Sequence, residues 1–576
     1  MKITTKWGDK LDKNNPLPEY PRPQFERASF MSLNGVWNYL ITNKKIEKPA
    51  AYEGEITVPF SPECILSGVE RVVMPDDTLF YERTFELPES FIKGRVILNF
   101  GAVDYIAKVY INDAFAGSHK GGFNPFSFDI TDLIVIGKNR ITVAVTDPSD
   151  TGVQCKGKQK LSGTGIWYTP QSGIWQTVWL ESVPLTFIEK VKITPDIDNS
   201  EVAITVFTNV QPEKAEIIIC DGDKVIASET FISGEEVRLE IPDQKLWSPE
   251  NPHLYDVVLT ADEDMVRSYF GQRKFDWGVG ADGKQKLFLN NRPYFHNGLL
   301  DQGYWCDGML TPPSDEAMIY DIKLIKDMGF NMLRKHIKVE PMRWYYHCDR
   351  LGVIVWQDMV SGGGKYNFLT IGALPFIGIN LDDKKHRFFA RSDKEGRDEF
   401  TAQYFEMLDN LYNCVSIGMW VIFNEGWGQF DSVWFSERTK EIDGTRTVDS
   451  VSGWHDNGID AKSIHCYFKP FRMPANESRP VLLSEFGGYS YQEKGHVFTD
   501  KVFGYRVYKD VKKLNEGYKQ LYETQIIPAF KKGLAATVYT QLSDVESEIN
   551  GLVTYDRRIV KFDIGALRAI NEKLKY

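Results

Sequence analysis

Trp420-Val-Ile-Phe-Asn-Glu-Gly-Trp427 places four apolar residues directly before Asn424 and Glu425, and Val481-Leu-Leu-Ser-Glu-Phe-Gly-Gly488 leads in the same way into Glu485. A short apolar run without alternation reads as a strand buried on both faces, as in parallel sheets. A glutamate in the middle of such a strand is a costly unpaired charge; at the strand end it is solvated and free to react. Outward from these two runs, residues 294–298, 330–335, 353–357, 417–424, 448–452, 463–466, 481–485 and 535–541 read as strands alternating with amphipathic helical stretches. Ser314 N-caps a helix whose apolar face is Met318, Ile322 and Ile325 and which Gly329 stops; Pro341 opens another that Gly352 closes. Eight such strands predict a (β/α)8 TIM barrel over residues 279–576, with its chemistry at the C-terminal strand ends.

The N-terminal half has a different period. Arg95-Val-Ile-Leu-Asn-Phe100, Lys108-Val-Tyr-Ile-Asn112 and Arg140-Ile-Thr-Val-Ala-Val145 alternate with period two between Gly, Asn, Pro and Asp turns, which predicts a β-sandwich over residues 1–183. A second alternating stretch, with Val202, Ile204, Val206, Val237, Leu239, Ile241 and Leu254-Tyr-Asp-Val-Val-Leu259, suits an immunoglobulin-like sandwich over 184–278. The expected molecule therefore has several domains: two β-sandwiches, then the barrel.

Composition narrows the function. The chain has 576 residues, 42% hydrophobic and 26% charged, with 68 basic against 79 acidic side chains and a net charge of −11. No global basic field draws it to nucleic acid or anionic lipid. No apolar leader or run of about 18 apolar residues is visible, so no membrane span is expected. Seven scattered cysteines without a CxxC read as reduced thiols and favour the cytoplasm. No metal-ligand spacing and no dinucleotide fingerprint follow a strand, so no metal and no cofactor are expected. The glycines of Ser361-Gly-Gly-Gly364 precede Lys365 without the Lys-Ser/Thr helix start of a phosphate loop, and read as a mobile loop after the third strand.

Two carboxylates facing each other across a strand-end site are what glycosidic bond cleavage needs. One is protonated and gives its proton to the leaving oxygen; the other is ionised and attacks or stabilises C1. Taken singly, either glutamate is equally well a solvated or salt-bridged strand-end residue. Their pairing, beside Asn424, Trp427 and Phe486, favours chemistry.

At these residues the chain resembles glycoside hydrolase family 2, the family of bacterial β-galactosidases, β-glucuronidases and β-mannosidases. The likeness includes Leu33-Asn-Gly-Val-Trp37, Phe80-Tyr-Glu-Arg-Thr-Phe85, Asn99-Phe-Gly-Ala-Val-Asp104 and Val109-Tyr-Ile-Asn112. It continues through Ser172-Gly-Ile-Trp-Gln-Thr-Val178, Leu246-Trp-Ser-Pro-Glu-Asn-Pro-His-Leu-Tyr255 and Gly329-Phe-Asn-Met-Leu-Arg334 to Asn424-Glu425 and Ser484-Glu-Phe-Gly487. The resemblance implies a jelly-roll sugar-binding domain ahead of the immunoglobulin-like domain and the catalytic barrel. It also implies a retaining, exo-acting β-glycosidase acting on a carbohydrate or glycoconjugate, with Glu425 as acid/base, Glu485 as nucleophile and Asn424 on the sugar 2-hydroxyl. Subunit number stays open between a monomer and a homo-oligomer.

Other site residues follow from the same likeness. His336 lies where the family has a second-strand histidine reaching the sugar, with a core histidine as the competing reading. Tyr467 matches the tyrosine that contacts the nucleophile, His465 stands two residues before it, and Tyr539 takes a position where members often carry a tryptophan platform. Trp305, Trp356, Asp358, Trp454 and Asp544 fall at strand ends or in following loops, where packing competes with substrate contact.

Departures bear on the substrate. Leu299-Leu-Asp-Gln-Gly-Tyr-Trp305 lacks the Asn-Arg-His-Glu of large β-galactosidases, so their metal and galactose contacts do not carry across. Val545-Glu-Ser-Glu-Ile-Asn-Gly-Leu552 lacks the Asn-x-Lys that reads a carboxylate in β-glucuronidases. A uronate there faces Asp544, Glu546 and Glu548, which favours a neutral, galactoside-type substrate over a glucuronide or another hexoside. Arg334, Lys335 and Lys338 are the cations able to reverse that preference. A barrel that binds carbohydrate without cleaving it is the reading from another class; it is free to lose either carboxylate, and both are present.

Overall fold

In the computed structural model, which describes residues 2–576, the apolar runs of the C-terminal half form one eight-stranded parallel sheet curled into a nearly closed barrel. Its strands are β1 (His296–Asp301), β2 (Met332–Lys335), β3 (Ile354–Asp358), β4 (Ile417–Asn424), β5 (Thr447–Ser452), β6 (Lys462–Cys466), β7 (Val481–Gly487) and β8 (Leu534–Thr540). Pairing runs β5-β4-β3-β2-β1-β8-β7-β6, leaving β5 and β6 at the two ends of the ladder. Side chains bridge that seam: Ser463 Oγ donates to Asp449 Oδ2 at 2.7 Å, and Ser452 Oγ lies 3.1 Å from His465 Nε2.

Seven of the eight strands lie within two residues of their expected ends. β1 is displaced toward the C-terminus, because Tyr294 stays tied to the preceding hairpin through its N–H to the Leu287 carbonyl. That hairpin belongs to a small antiparallel sheet of Phe275–Val279, Gln285–Leu289 and Arg292–Pro293 that closes the barrel floor. Phe275, Leu287 and Leu289 pack there with Met332, Ile354, Trp356 and Met419. The crossover helix Asp315–Asp327 starts as predicted, Ser314 Oγ accepting the Ala317 N–H at 3.2 Å.

Ahead of the barrel stand two antiparallel sandwiches. The first packs a six-stranded sheet on a four-stranded one, and Trp37, Tyr81, Val96, Leu98, Val109 and Val143 are in the core between them. The second packs three strands on four around Val202, Ile204, Ile217, Val257 and Leu259. Strand Gly35–Thr42 alternates buried and partly open residues, whereas all eight residues of β4 are buried. Period two marks a sheet wet on one side; a continuous run marks one covered on both. Among the described residues no helix is long and apolar enough to cross a membrane.

Segment 147–172 of the first sandwich leaves its sheets and docks on the barrel mouth. The Lys156 and Gly157 N–H groups both donate to the Ser361 carbonyl, at 3.0 and 2.9 Å. A Cβ on Gly362 would lie 2.5 Å from the Gln154 carbonyl oxygen, so only glycine permits this approach. Ser361, Gly362 and Gly363 are buried here. The glycine run expected to be a mobile loop is a contact surface between backbones.

Candidate active site

Glu425 directly follows β4 and Glu485 lies two residues before the end of β7; both are buried, 7% and 4% exposed, rather than solvated as expected, because protein partners take the place of water around them. The backbone of Glu425 is left-handed, φ 50°, and its N–H donates to the Ser452 carbonyl at 2.9 Å. A non-glycine residue held there costs about 1–3 kcal/mol, which the surrounding structure must offset. His465 on β6 stands between the two carboxylates: its Nδ1 is 2.8 Å from Glu425 Oε1 and 3.6 Å from Glu485 Oε2. One oxygen of each glutamate and a His465 nitrogen lie within 4.8 Å of one another, the only such convergence of three metal-type ligands among the described residues.

Below Glu485, Arg334 of β2 is wholly buried and spends all five N–H groups. Nε and Nη2 grip Asp358 at 2.9 and 3.0 Å, Nη2 also reaches Asn424 Oδ1 at 2.9 Å, and Nη1 reaches Glu485 Oε1 at 3.2 Å and the Ser484 carbonyl at 3.1 Å. From the other side Tyr467 donates to Glu485 Oε2 at 2.6 Å. Burial acts to raise the Glu485 carboxyl, but His465, His336, Arg334 and Lys158 together overcome it and hold the group at about 2, well below its ordinary 4.5. Burial, with Lys158 and Arg334 nearby, drives His336 well below the usual imidazole range, whereas the Arg334 guanidinium stays charged at any working pH.

The remaining expected residues divide. His336 Nδ1 lies 2.7 Å from Asp358 Oδ2 and 4.0 Å from Glu485 Oε1, so His336 and Asp358 belong to the support beneath the pair. Asn424 keeps Nδ2 buried and without a protein partner. Trp454 stands edge-on to Phe376 at 5.4 Å in a run of rings, Phe376, Phe468, Tyr505 and Tyr467, that leads from the surface to Glu485. Tyr539 differs from the expected platform: it is wholly buried under Gly487, whose added Cβ would fall 2.2 Å from its ring, and its hydroxyl accepts the Tyr489 N–H. Trp305 is buried beneath Arg557, 4.3 Å above its ring, and edge-on to Trp7. Trp356 lies in the barrel floor with Nε1 donating to His296 Nδ1 at 2.9 Å.

The charges weighed in the sequence for substrate choice are already engaged. Lys561 Nζ donates to Asp544 at 2.7 Å, Glu546 accepts the Thr169 N–H, and Glu548 accepts from Tyr168 and from Asn550. Lys335 binds Asp301 and Glu340, each at 2.7 Å, and Lys338 spends its three hydrogens on Glu340 and the Gly303 and Leu310 carbonyls. With Arg334 also spent, none of the three expected cations faces a substrate. Sequence reading missed Tyr505, stacked on Tyr467 at 4.0 Å, and Lys158, held between the Tyr168 and Trp427 rings. A signal for Tyr505 was present in its neighbourhood of loop aromatics after β7; for Lys158 there was none, since it lies in another domain.

Comparison with known proteins agrees with this arrangement. Residues 67–184 match the glycosyl hydrolases family 2 sugar binding domain, 186–273 the glycosyl hydrolases family 2 model, and 284–558 the glycosyl hydrolases family 2 TIM barrel domain. The chain is 27% identical over 334 residues to a β-galactosidase of Thermoanaerobacter pseudethanolicus, covering 53% of this chain and 43% of the relative. It is 24% identical over 415 residues to a β-glucuronidase of Streptococcus agalactiae, covering 68% and 66%. The matched regions thus span less than two thirds of these relatives' lengths. Among solved structures, a Ruminococcus gnavus β-glucuronidase superposes with TM-score 0.75 at 16% identity, covering 97% of this chain and 99% of the other. A β-galacturonidase from Eisenbergiella tayi gives 0.70 at 19%, with 97% and 99% covered. Such likeness describes the fold; the three consecutive family models, laid over the two sandwiches and the barrel whose fourth and seventh strands end in the paired glutamates, show that the chain belongs to glycoside hydrolase family 2.

Proposed function

We propose that the protein is a retaining, exo-acting β-glycosidase that removes a terminal β-linked sugar by double displacement, residues 279–576 carrying the chemistry beside accessory units 1–183 and 184–278. The observation that carries this reading is the approach of Glu425 and Glu485 to within 4.8 Å, oxygen to oxygen. Inverting enzymes hold their carboxyl groups about 6.5–9.5 Å apart to admit a water; retaining ones hold them about 5–5.5 Å apart.

In the first step Glu485, ionised by Arg334 and Tyr467, attacks C1, and the leaving oxygen takes the Glu425 proton. In the second step Glu425 removes a proton from water, which attacks C1 and releases Glu485. Asn424, oriented by Arg334 and with Nδ2 unengaged, is suited to the sugar 2-hydroxyl, a contact that strengthens in the transition state. His465 joins both carboxylates and orients Glu425.

Galactoside-type and uronoside-type substrates are both compatible with this chemistry. The case for a neutral sugar rested on Asp544, Glu546 and Glu548, of which Asp544 is paired with Lys561 while Glu546 and Glu548 accept from the Thr169 N–H and the Tyr168 hydroxyl. The inactive carbohydrate-binding alternative does not explain why both carboxylates and their supports are intact. Seven unpaired cysteines support a reducing compartment, the cytoplasm.

Proton NMR of the first-formed sugar tests the reading, with 2-fluoro glycoside labelling mapped by mass spectrometry. The β anomer first, with the label on Glu485, is expected. The α anomer first, or a label elsewhere, overturns it.

A further inference from the structure

Lys158 comes from the N-terminal sandwich, yet its side chain ends at the barrel mouth. Gly157 approaches the loop after β2 so closely that a Cβ there would lie 3.1 Å from the Ile337 carbonyl oxygen, and its N–H is held by Ser361 after β3. The Lys158 carbonyl accepts the Tyr168 N–H, and the Tyr168 hydroxyl donates to Glu548 after β8. The segment is thereby fastened to three different strand-end loops. Lys158 Nζ is 5.7 Å from the centre of the Tyr168 ring and 5.8 Å from that of Trp427, two residues beyond Glu425.

Lys158 is 7% exposed; its Nζ keeps contact with solvent, and among the described residues no carboxylate or carbonyl accepts from it. An ammonium whose stem is buried while its head meets only water is free to receive an anion that enters the mouth. Of the other buried cations nearby, Arg334, Lys335 and Lys338 each have their anion, whereas Arg391 and Lys156 have none but donate to backbone carbonyls, Arg391 to Gly428 and Gly396 and Lys156 to Gly363 and Gly152. Lys158 is thus a cation beside the reacting carboxylates whose Nζ has neither an anion nor a carbonyl as acceptor, flanked by aromatic walls that strengthen an electrostatic contact by limiting water around it.

We infer that Lys158 is a specificity-determining residue contributed by the N-terminal domain, which receives an anionic substituent, a carboxylate or a sulfate, on the terminal sugar. This inference rests on the glycosidase reading and names the substrate class for that same site. A carboxylate on the sugar entering beside Glu485 adds a second negative charge there, and Lys158 is the cation left to neutralise it.

The test compares wild type with Lys158→Met and Lys158→Arg on nitrophenyl glucuronide, galacturonide, 6-sulfogalactoside, galactoside and glucoside, all with one leaving group. Wild type is expected to prefer one anionic glycoside over its neutral counterpart by at least about 10-fold in kcat/KM. Lys158→Met collapses that ratio, chiefly through KM, and Lys158→Arg restores part of it. Preference for the sulfoglycoside rather than the uronides identifies sulfate as the anion. Equal losses on charged and neutral substrates, with a displaced acid limb of the pH profile, overturn the inference and make Lys158 a support for Glu485 alone. A wild type faster on neutral glycosides overturns it while leaving the glycosidase reading intact. Calorimetric binding of free glucuronate, galacturonate and galactose 6-sulfate against galactose and glucose decides the matter without turnover: no tighter binding of any acid by wild type than by Lys158→Met also overturns it.

Discussion

Arg334 Nη1 lies 3.2 Å from Glu485 Oε1 while the same guanidinium grips Asp358 with two bonds and Asn424 with a third. One buried cation thus fixes the proposed nucleophile, the amide beside the proposed acid and the carboxylate that orients His336. A fully buried arginine is tolerable because each hydrogen finds an acceptor, and its planar fork holds several groups in one geometry as a lysine cannot.

Arg334→Met is accordingly expected to leave Asp358 and Glu485 as unpaired buried charges. Stability falls by about 3–5 kcal/mol, read by urea denaturation, and kcat/KM falls by about 100-fold or more. Retained activity would show that the guanidinium is packing only.

The pH profile tests the support of Glu485. Its carboxyl is depressed from 4.5 to about 2, so it is ionised above the usual carboxylate range and becomes protonated only as pH falls through about 2. The stabilisation linked to this shift is present above 4.5 and is lost as pH falls toward 2. Tyr467→Phe removes a donor to the ionised form and raises that value. The acid limb of kcat/KM should move upward by about one to two units, since a bond to a charged group is worth about 1.5–3 kcal/mol and a unit is about 1.4 kcal/mol. An unmoved limb would assign the hydroxyl to Thr540, its other neighbour at 2.9 Å.

Glu425→Gln separates the acid from the nucleophile. Glycosides with poor leaving groups should lose about 10²–10⁴-fold in kcat, and dinitrophenyl glycosides, which hardly need protonation, much less. Equal losses would remove Glu425 from the acid role. Glu485→Gln should abolish turnover of both.

The docked N-terminal segment is tested at Gly362. Gly362→Val sets a side chain against the Gln154 carbonyl and the Cys155 Cα, 2.5 and 2.9 Å from the new Cβ, and neither backbone can turn aside. A loss of about 1–3 kcal/mol is expected from the forced shift, with a fall of about 10-fold in kcat/KM as residues 154–158 leave the mouth. Unchanged thermal unfolding and kinetics would show that the contact bears on neither.

What the sequence by itself determined follows from local rules. Continuous apolar runs specify strands covered on both faces, and a glutamate directly after such a run has no tolerable place but the strand end; Glu425 and Glu485 were legible for that reason. Alternation in stretches such as Arg95-Val-Ile-Leu-Asn-Phe100 and Arg140-Ile-Thr-Val-Ala-Val145 marked the sandwiches, and Ser314 marked a helix start through its own hydroxyl. Only the tertiary structure decided which charges are spent. Arg334, Lys335, Lys338 and Asp544 read as free groups near a sugar, yet each is neutralised, Arg334, Lys335 and Asp544 by a partner from another strand or loop and Lys338 by Glu340 two residues on. Lys158 carries no signal in its own stretch of chain and is left unmatched at the mouth because segment 147–172 folds across onto Ser361 and Glu548. A charge's role depends on its distance from its counter-charge, and that distance is set when domains pack rather than by spacing along the chain.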